Sequence, residues 1–347
     1  MAANTMSSSV VRVGSLSSRL VRTAESRPGT CGKRHAMDCL FPEHAYDASV
    51  IQQPMVQTPE RSQLMPSEGL LALHDHHQRY ANFNDFQPQI AGLLQQGSLL
   101  AECIQVTKAL GFLEPLTGEH IPPEAIQIQG PNYRESLIAN GLLSRNRAVL
   151  VRLEQLYGSI EDLRRQEVYL VEAISGFAVW LRRKLEAEKL VCSEYLEDAE
   201  KAFSDIPHQD LCALTFPDSS FDLVLCNELF EHVQDLDLAF REIARVLRPG
   251  GRLLSTFPLA FGQQESIKKA LYNSATGESV LIDEAEYHGD PVRPEAGSLV
   301  YRIPGWEVQD QLQAAGFADV AIHHIVSWKH GVLGSDLPGV LVVEAQR

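Results

Sequence analysis

A chain of 347 residues, 44% of them hydrophobic, is long and apolar enough to bury a full core as one large domain or two smaller ones. Its formal net charge of -15 at pH 7 lacks the positive footprint that binding a nucleic-acid backbone requires, which leaves a small-molecule partner. No apolar run reaches membrane-spanning length, and Cys31, Cys39, Cys103, Cys192, Cys212 and Cys226 show no paired spacing. A soluble, cytoplasmic protein with reduced cysteines, and with neither disulfides nor a metal centre, is therefore expected.

Residues 1–36 are rich in Ser and Arg, with Arg12, Arg19, Arg22, Arg27, Lys33 and Arg34 against the single acid Glu25. Such a stretch assembles no core, and it reads as a disordered tail, a targeting segment, or sequence ahead of a true start at Met37 or Met65. Residues 52–66 read as linker. From about Glu68 to Gln166 the pattern is helical. One apolar stripe runs through Ile90, Leu93, Leu94, Leu99, Leu100, Ile104 and Leu110, and a second through Ala148, Leu150, Val151, Leu153, Leu156 and Leu163. These helices suit a cap over a cleft, with residues 131–147 loop-like between them. His74-Asp75-His76-His77 puts His74 and His77 on one helix face, and a solvated helix end explains it better than a metal site.

The alternation of elements then changes. Val168–Val171 and Lys189–Cys192 are short apolar strands. Phe221–Cys226 is an apolar run broken only by Asp222, as suits a strand buried on both faces of a parallel sheet. Asn227, Glu228, Glu231 and His232 follow at once, where an open α/β sheet places its ligand crevice. Leu236, Phe240, Ile243, Ala244 and Leu247 recur at helical spacing until Pro249-Gly250-Gly251 turns the chain into a strand over Arg252–Pro258. Residues 259–304 are too long for an ordinary connection, and the run Glu286-Tyr287-His288-Gly289-Asp290-Pro291 within them carries an imidazole. Trp306–Ala315 is an amphipathic helix, Phe317–Val326 a strand in which His323 and His324 face opposite sides, and Val340–Ala345 a last strand.

The ordered set LTFPDSSFDLVLCNELFEHV, AFREIARVLRPGGRLLST and AAGFADVAI resembles the class I S-adenosylmethionine-dependent methyltransferases, in particular those that modify quinones, lipids and other small molecules. The resemblance implies a Rossmann-like sheet of seven strands, six parallel and the last one reversed, plus an N-terminal helical region. Its domains would be residues 1–66 as a disordered or mis-started segment, 67–166 as a helical cap, and 167–347 as the methyltransferase domain, with 259–304 as a lid.

It also implies S-adenosylmethionine as cofactor and a set of roles. Glu172 is the acid ending the first strand, and Gly176 is the one glycine kept in a loop where the family has two or three. Glu194 takes the ribose hydroxyls, Asp210 the adenine amino group, and the Leu211 backbone meets the ring. Asn227 and Glu228 close the floor near the methionine end, and His288 and His232 are the candidates to orient an acceptor or take its proton. Some similar bacterial enzymes carry a cysteine pair between an Arg-Glu and an Arg-Ala. Leu137–Leu143 has none, so no zinc knuckle is expected. A catalytically inactive binding protein of the same fold, and a nicotinamide-dependent oxidoreductase, are the alternatives, the second lacking a G-x-G-x-x-G run after the first strand.

Overall fold

The computed structural model describes residues 67–196 and 203–347; the readings made for residues 1–66 lie outside the described residues. The centre of the fold is a seven-stranded sheet built from His76–Tyr80 (β1), Val168–Leu170 (β2), Leu190–Cys192 (β3), Phe221–Asn227 (β4), Leu247–Thr256 (β5), Asp319–Val326 (β6) and Val340–Gln346 (β7). Their spatial order is β1-β6-β7-β5-β4-β2-β3. The pairs β3–β2, β2–β4 and β4–β5 are parallel, whereas β5–β7, β7–β6 and β6–β1 are antiparallel. The last strand is reversed, as expected. A second strand, β1, is reversed too, so five strands share one direction rather than six.

The extra reversed strand corrects one part of the helical reading of Glu68–Gln166, the placing of His74–His77 on a helix. Helices do form at Ile90–Gln95, Leu100–Leu110 and Ser144–Tyr157, but ahead of them helix Glu68–Ala72 is one short turn, and the run His74–His77 leads into the edge strand, paired from His76↔Val326 to Tyr80↔Ile322. The unpaired N–H and C=O groups along β6 outweigh the local preference of a polar segment. Tyr80 anchors the pairing, 5% exposed and edge-on to Phe86. On the far side, the strand expected from a full set of crossovers is reduced, among the described residues, to one parallel bridge between Glu194 and His208.

Side chains alternate between two cores, as the period of two along a strand requires. Tyr169, Val224 and Leu253 face a layer containing helices Leu236–Val246 and Val308–Ala314, while Val168, Leu170, Leu223, Leu225 and Leu254 face helices Ser144–Tyr157 and Gly176–Lys184. Pro249-Gly250-Gly251 does not end a helix. The helix stops at Val246, and these residues form a bulge inside β5, between the pairs Phe221↔Leu247 and Leu223↔Arg252. Residues 259–304 form three two-stranded ribbons, at Ile267–Lys268 with Arg302–Ile303, Ala270–Asn273 with Glu278–Leu281, and Tyr287–His288 with Ser298–Leu299.

Candidate functional site

The sheet brings the C-terminal ends of β2, β3, β4 and β5 to one edge, and the polar residues there are tied to one another. Glu172, just past β2, accepts a hydrogen bond from the Asn227 amide at the end of β4 (3.0 Å), and the Asn227 carbonyl oxygen accepts one from Thr256 Oγ1 at the end of β5 (3.2 Å). Burial pushes the Glu172 carboxyl above the usual carboxylate range, against the pull of Asn227 and Arg145. Glu194, past β3, accepts from the backbone N–H groups of Ala173 and Ile174 (2.8 and 2.9 Å), and burial raises it as well. Asp210 uses Oδ1 to accept from Cys212 N (2.8 Å), with Leu211 buried beside it.

The loop between β2 and its helix is shaped from three directions. Glu194 holds two of its amides, Arg182 donates to Ala173 O (2.8 Å), and Ser175 caps the helix by accepting from Ala178 N (3.0 Å). Gly176 answers a different need from the one expected. A Cβ there would stand 2.8 Å from the carbonyl carbon of Gly141 and nearer still to its oxygen. The neighbour that demands glycine is therefore the chain itself, at a turn where Asn140 (φ 51) and Gly141 (φ 76) are both left-handed between Ala139 and Leu142.

Glu228 follows β4 with φ 52, a left-handed conformation that is strained for a residue with a side chain. Arg134 holds its carboxylate in a fork (2.5 and 3.0 Å) and Arg145 lies 4.0 Å away, which together keep it below the usual range despite burial. Both arginines also bind Glu135. Arg145 Nη1 is buried with no acceptor among the described residues.

Beside this cluster opens a cavity of about 730 Å³, a size that takes a drug-sized ligand. Arg134, Arg145, Glu135, Glu228 and His288 form its polar wall, and Phe257, Leu259, Phe261, Leu337 and Leu341 are among its apolar residues. Of the residues singled out in the sequence, Glu228 and His288 line it. Glu172, Glu194, Asp210, Leu211, Gly176 and Asn227 are not among its lining residues. His232 stands behind His288, ring centroids 5.0 Å apart, and its Nδ1 donates to Leu299 O (2.9 Å). The insertion thus docks on the strand ends. Tyr301 N–H donates to Glu231 O (2.8 Å), and the Arg293 guanidinium donates to the carbonyls of Tyr195 and Leu196 past β3.

Sequence reasoning missed Arg134, Arg145 and Glu135, which lie in the stretch read as loop. The Asn140-Gly141 pair, a recognised hairpin-turn dipeptide, was the visible signal of order there.

Residues 161–255 match a family model described as a methyltransferase domain. The chain is 27% identical over 170 residues to a ubiquinone/menaquinone biosynthesis C-methyltransferase of Laribacter hongkongensis, covering 46% of this chain and 60% of the relative. It is 32% identical over 127 residues to a 27-O-demethylrifamycin SV methyltransferase of Amycolatopsis mediterranei, covering 34% and 46%. A solved S-adenosylmethionine-dependent methyltransferase from Mesorhizobium loti aligns with 55% of this chain and 99% of its own, at 18% identity and a TM-score of 0.33. The chain thus spans less than two thirds of the length of these curated relatives. Over residues 161–255 the chain is thus similar to a methyltransferase domain.

Proposed function

We propose that the chain transfers a methyl group from S-adenosylmethionine to a small organic acceptor held in the cavity under the insertion. The observation that carries this reading is a set of polar groups of the right chemistry at consecutive strand ends. Glu172 and Glu194 are both raised by burial, as expected of carboxylates placed to receive ligand hydroxyl or ammonium donors. Arg145 Nη1 is a buried donor without an acceptor among the described residues, suited to a ligand carboxylate. The residues present therefore fit the cofactor.

In this reading Glu194 takes the ribose hydroxyls, Asp210 and the Leu211 backbone the adenine, and Glu172 and Asn227 the methionine ammonium, with Arg145 added for the carboxylate. Glu228 acts through Arg134, which it holds at the cavity wall. The cofactor, when bound, supplies a methyl already activated on a sulfonium, so the protein's work is chiefly alignment, which supplies on the order of 7 to 11 kcal/mol. The apolar wall excludes water, and His288 faces the acceptor with His232 behind it. The named relatives act in ubiquinone/menaquinone biosynthesis and on 27-O-demethylrifamycin SV, and the partly apolar cavity suits an organic acceptor. The net charge of -15 speaks against nucleic acid as acceptor. We place the enzyme in the cytoplasm, a reading supported by Cys103, Cys192, Cys212 and Cys226 being unpaired and by no helix among the described residues being long and apolar enough to cross a membrane.

Thermal unfolding with S-adenosylhomocysteine tests the reading, because a ligand at a hundred times its Kd stabilises the native state by about 2.7 kcal/mol. A rise in Tm, followed by transfer of labelled methyl to an acceptor panel, is expected. A folded protein whose Tm is unmoved by millimolar S-adenosylhomocysteine would refute it.

A further inference from the structure

No metal was expected from the sequence, yet one buried carboxylate is left without a hydrogen-bond partner among the described residues. Glu231 is 0% exposed, and neither carboxylate oxygen has a hydrogen-bond partner among the described residues. Arg134, whose charge Glu231 feels, is committed to Glu228 and Glu135. What faces Glu231 instead is two imidazoles: His288 Nδ1 lies 3.5 Å and His232 Nε2 3.7 Å from Glu231 Oε1. These separations are long for hydrogen bonds. Two donors each about 2.0–2.2 Å from a tetrahedral ion stand about 3.3–3.6 Å apart, close to what is observed.

The outer nitrogens agree. A carbonyl only accepts, so His232 Nδ1 carries the proton it donates to Leu299 O, and in the neutral ring Nε2 presents a lone pair to the carboxylate. Two lone pairs confront each other unless a proton or a metal ion lies between them, and the separations of 3.5 and 3.7 Å leave room for the metal ion. His288 Nε2 meets Glu286 Oε1 at 3.3 Å. An imidazole pinned by a carbonyl or carboxylate on its far side is the arrangement found around metal-ligating histidines.

We propose that Glu231, His232 and His288, whose ligand atoms all lie within 4.8 Å of one another, bind a divalent transition-metal ion of the zinc type. Two imidazoles and one carboxylate favour such an ion over magnesium or calcium and leave a coordination position open. The ion clamps the insertion, through His288, onto the end of β4, through Glu231 and His232. Because His288 also lines the cavity, the ion sits one imidazole from the acceptor space. With the ion bound, His288 Nδ1 is a ligand and not a proton acceptor.

The test uses the full chain, stripped with a chelator, dialysed against zinc and assayed for bound metal, beside Glu231→Gln and His288→Ala. His288 is half-buried on the insertion, so its variant should fold, and circular dichroism checks this. Wild type should retain one equivalent more than either variant, and cobalt(II) should give visible d–d bands that His288→Ala abolishes. Equal metal content in wild type and folded His288→Ala, or a cobalt spectrum unchanged by that substitution, overturns the proposal. No readout involves the methyl donor, so failure here is distinct from failure of the methyltransferase reading.

Discussion

Gly176→Ala separates two reasons for a glycine at this position. If the residue exists to let a cofactor approach, alanine should weaken ligand binding and leave the apo protein as stable as before. The structure argues the opposite, since the added methyl would stand 2.8 Å from the Gly141 carbonyl carbon and closer to its oxygen, against an ordinary separation of about 3.4–4 Å. Relief requires moving backbone on one side or the other. Neither side is loose. The Gly176 side is held by the Ser175 cap, and the Gly141 side by hydrogen bonds in both directions between Ala139 and Leu142 (3.0 and 2.8 Å). Overpacking of this kind costs about 1–3 kcal/mol, and for a domain of 150–250 residues each kcal/mol is worth about 2–4 °C. The apo variant should therefore melt several degrees lower in differential scanning calorimetry, with the urea midpoint falling in step. An unchanged Tm with reduced affinity for S-adenosylhomocysteine would refute the reasoning and return Gly176 to the cofactor.

Acid should destabilise the fold earlier than its carboxylates alone would. His324 is fully buried, its Nε2 donates to Pro338 O (2.5 Å) and its Nδ1 has no partner among the described residues, so burial drives its pKa down to about 4. A base depressed on folding contributes stability that is complete above its unfolded pKa, about 6.5, and is lost as pH falls toward 4, on the order of a few kcal/mol. Urea midpoints should drop across that window in wild type, with His77, also lowered to about 4, and His76, His323 and His330 adding to the fall, and the drop should be smaller in His324→Gln. Glu344, held at about 2 by His323 and Arg152 against burial, adds its loss only below about pH 4.5, so a fall confined to that lower range would contradict the role given to His324. Glu194→Ala removes the acceptor for two loop amides and a proposed ribose contact; calorimetry should show S-adenosylmethionine binding weaker by about 1.5–3 kcal/mol, with Tm lowered. Glu194→Gln keeps an acceptor for the amides and should recover the Tm but only part of the affinity.

What could be read from the sequence follows from how each element is stabilised. The inner strands β2 and β4 were legible because strands buried on both faces become continuous apolar runs, and the strand ends carrying Glu172, Glu194 and Asn227 followed from topology. The edge strand β1 was not. His76–Tyr80 is stabilised by pairing with residues some 250 positions away, and its own pattern is polar. The bulge at Pro249-Gly250-Gly251 was misread for a similar reason. Gly250 N–H donates to Arg347 O and Arg347 N–H to Gly251 O, so pairing with a residue about a hundred positions away holds the bulge where a helix stop was read. Arg134 and Arg145 meet Glu228 across the fold, and no local period announces such a partner.

The glycine-poor loop, the weakest point of the sequence resemblance, finds a physical account in these contacts. Glycine is required only where φ is positive or another atom stands where Cβ would be. Ala173, Ile174 and Ser175 have no positive φ. The amides of Ala173 and Ile174 are taken by a side chain, Glu194, reaching in from the next strand. Crowding falls at Gly176 alone, and its source is the turn at Asn140-Gly141. One glycine therefore suffices for the loop's path, and a second at Ile174 would release no clash while adding backbone entropy to the unfolded chain.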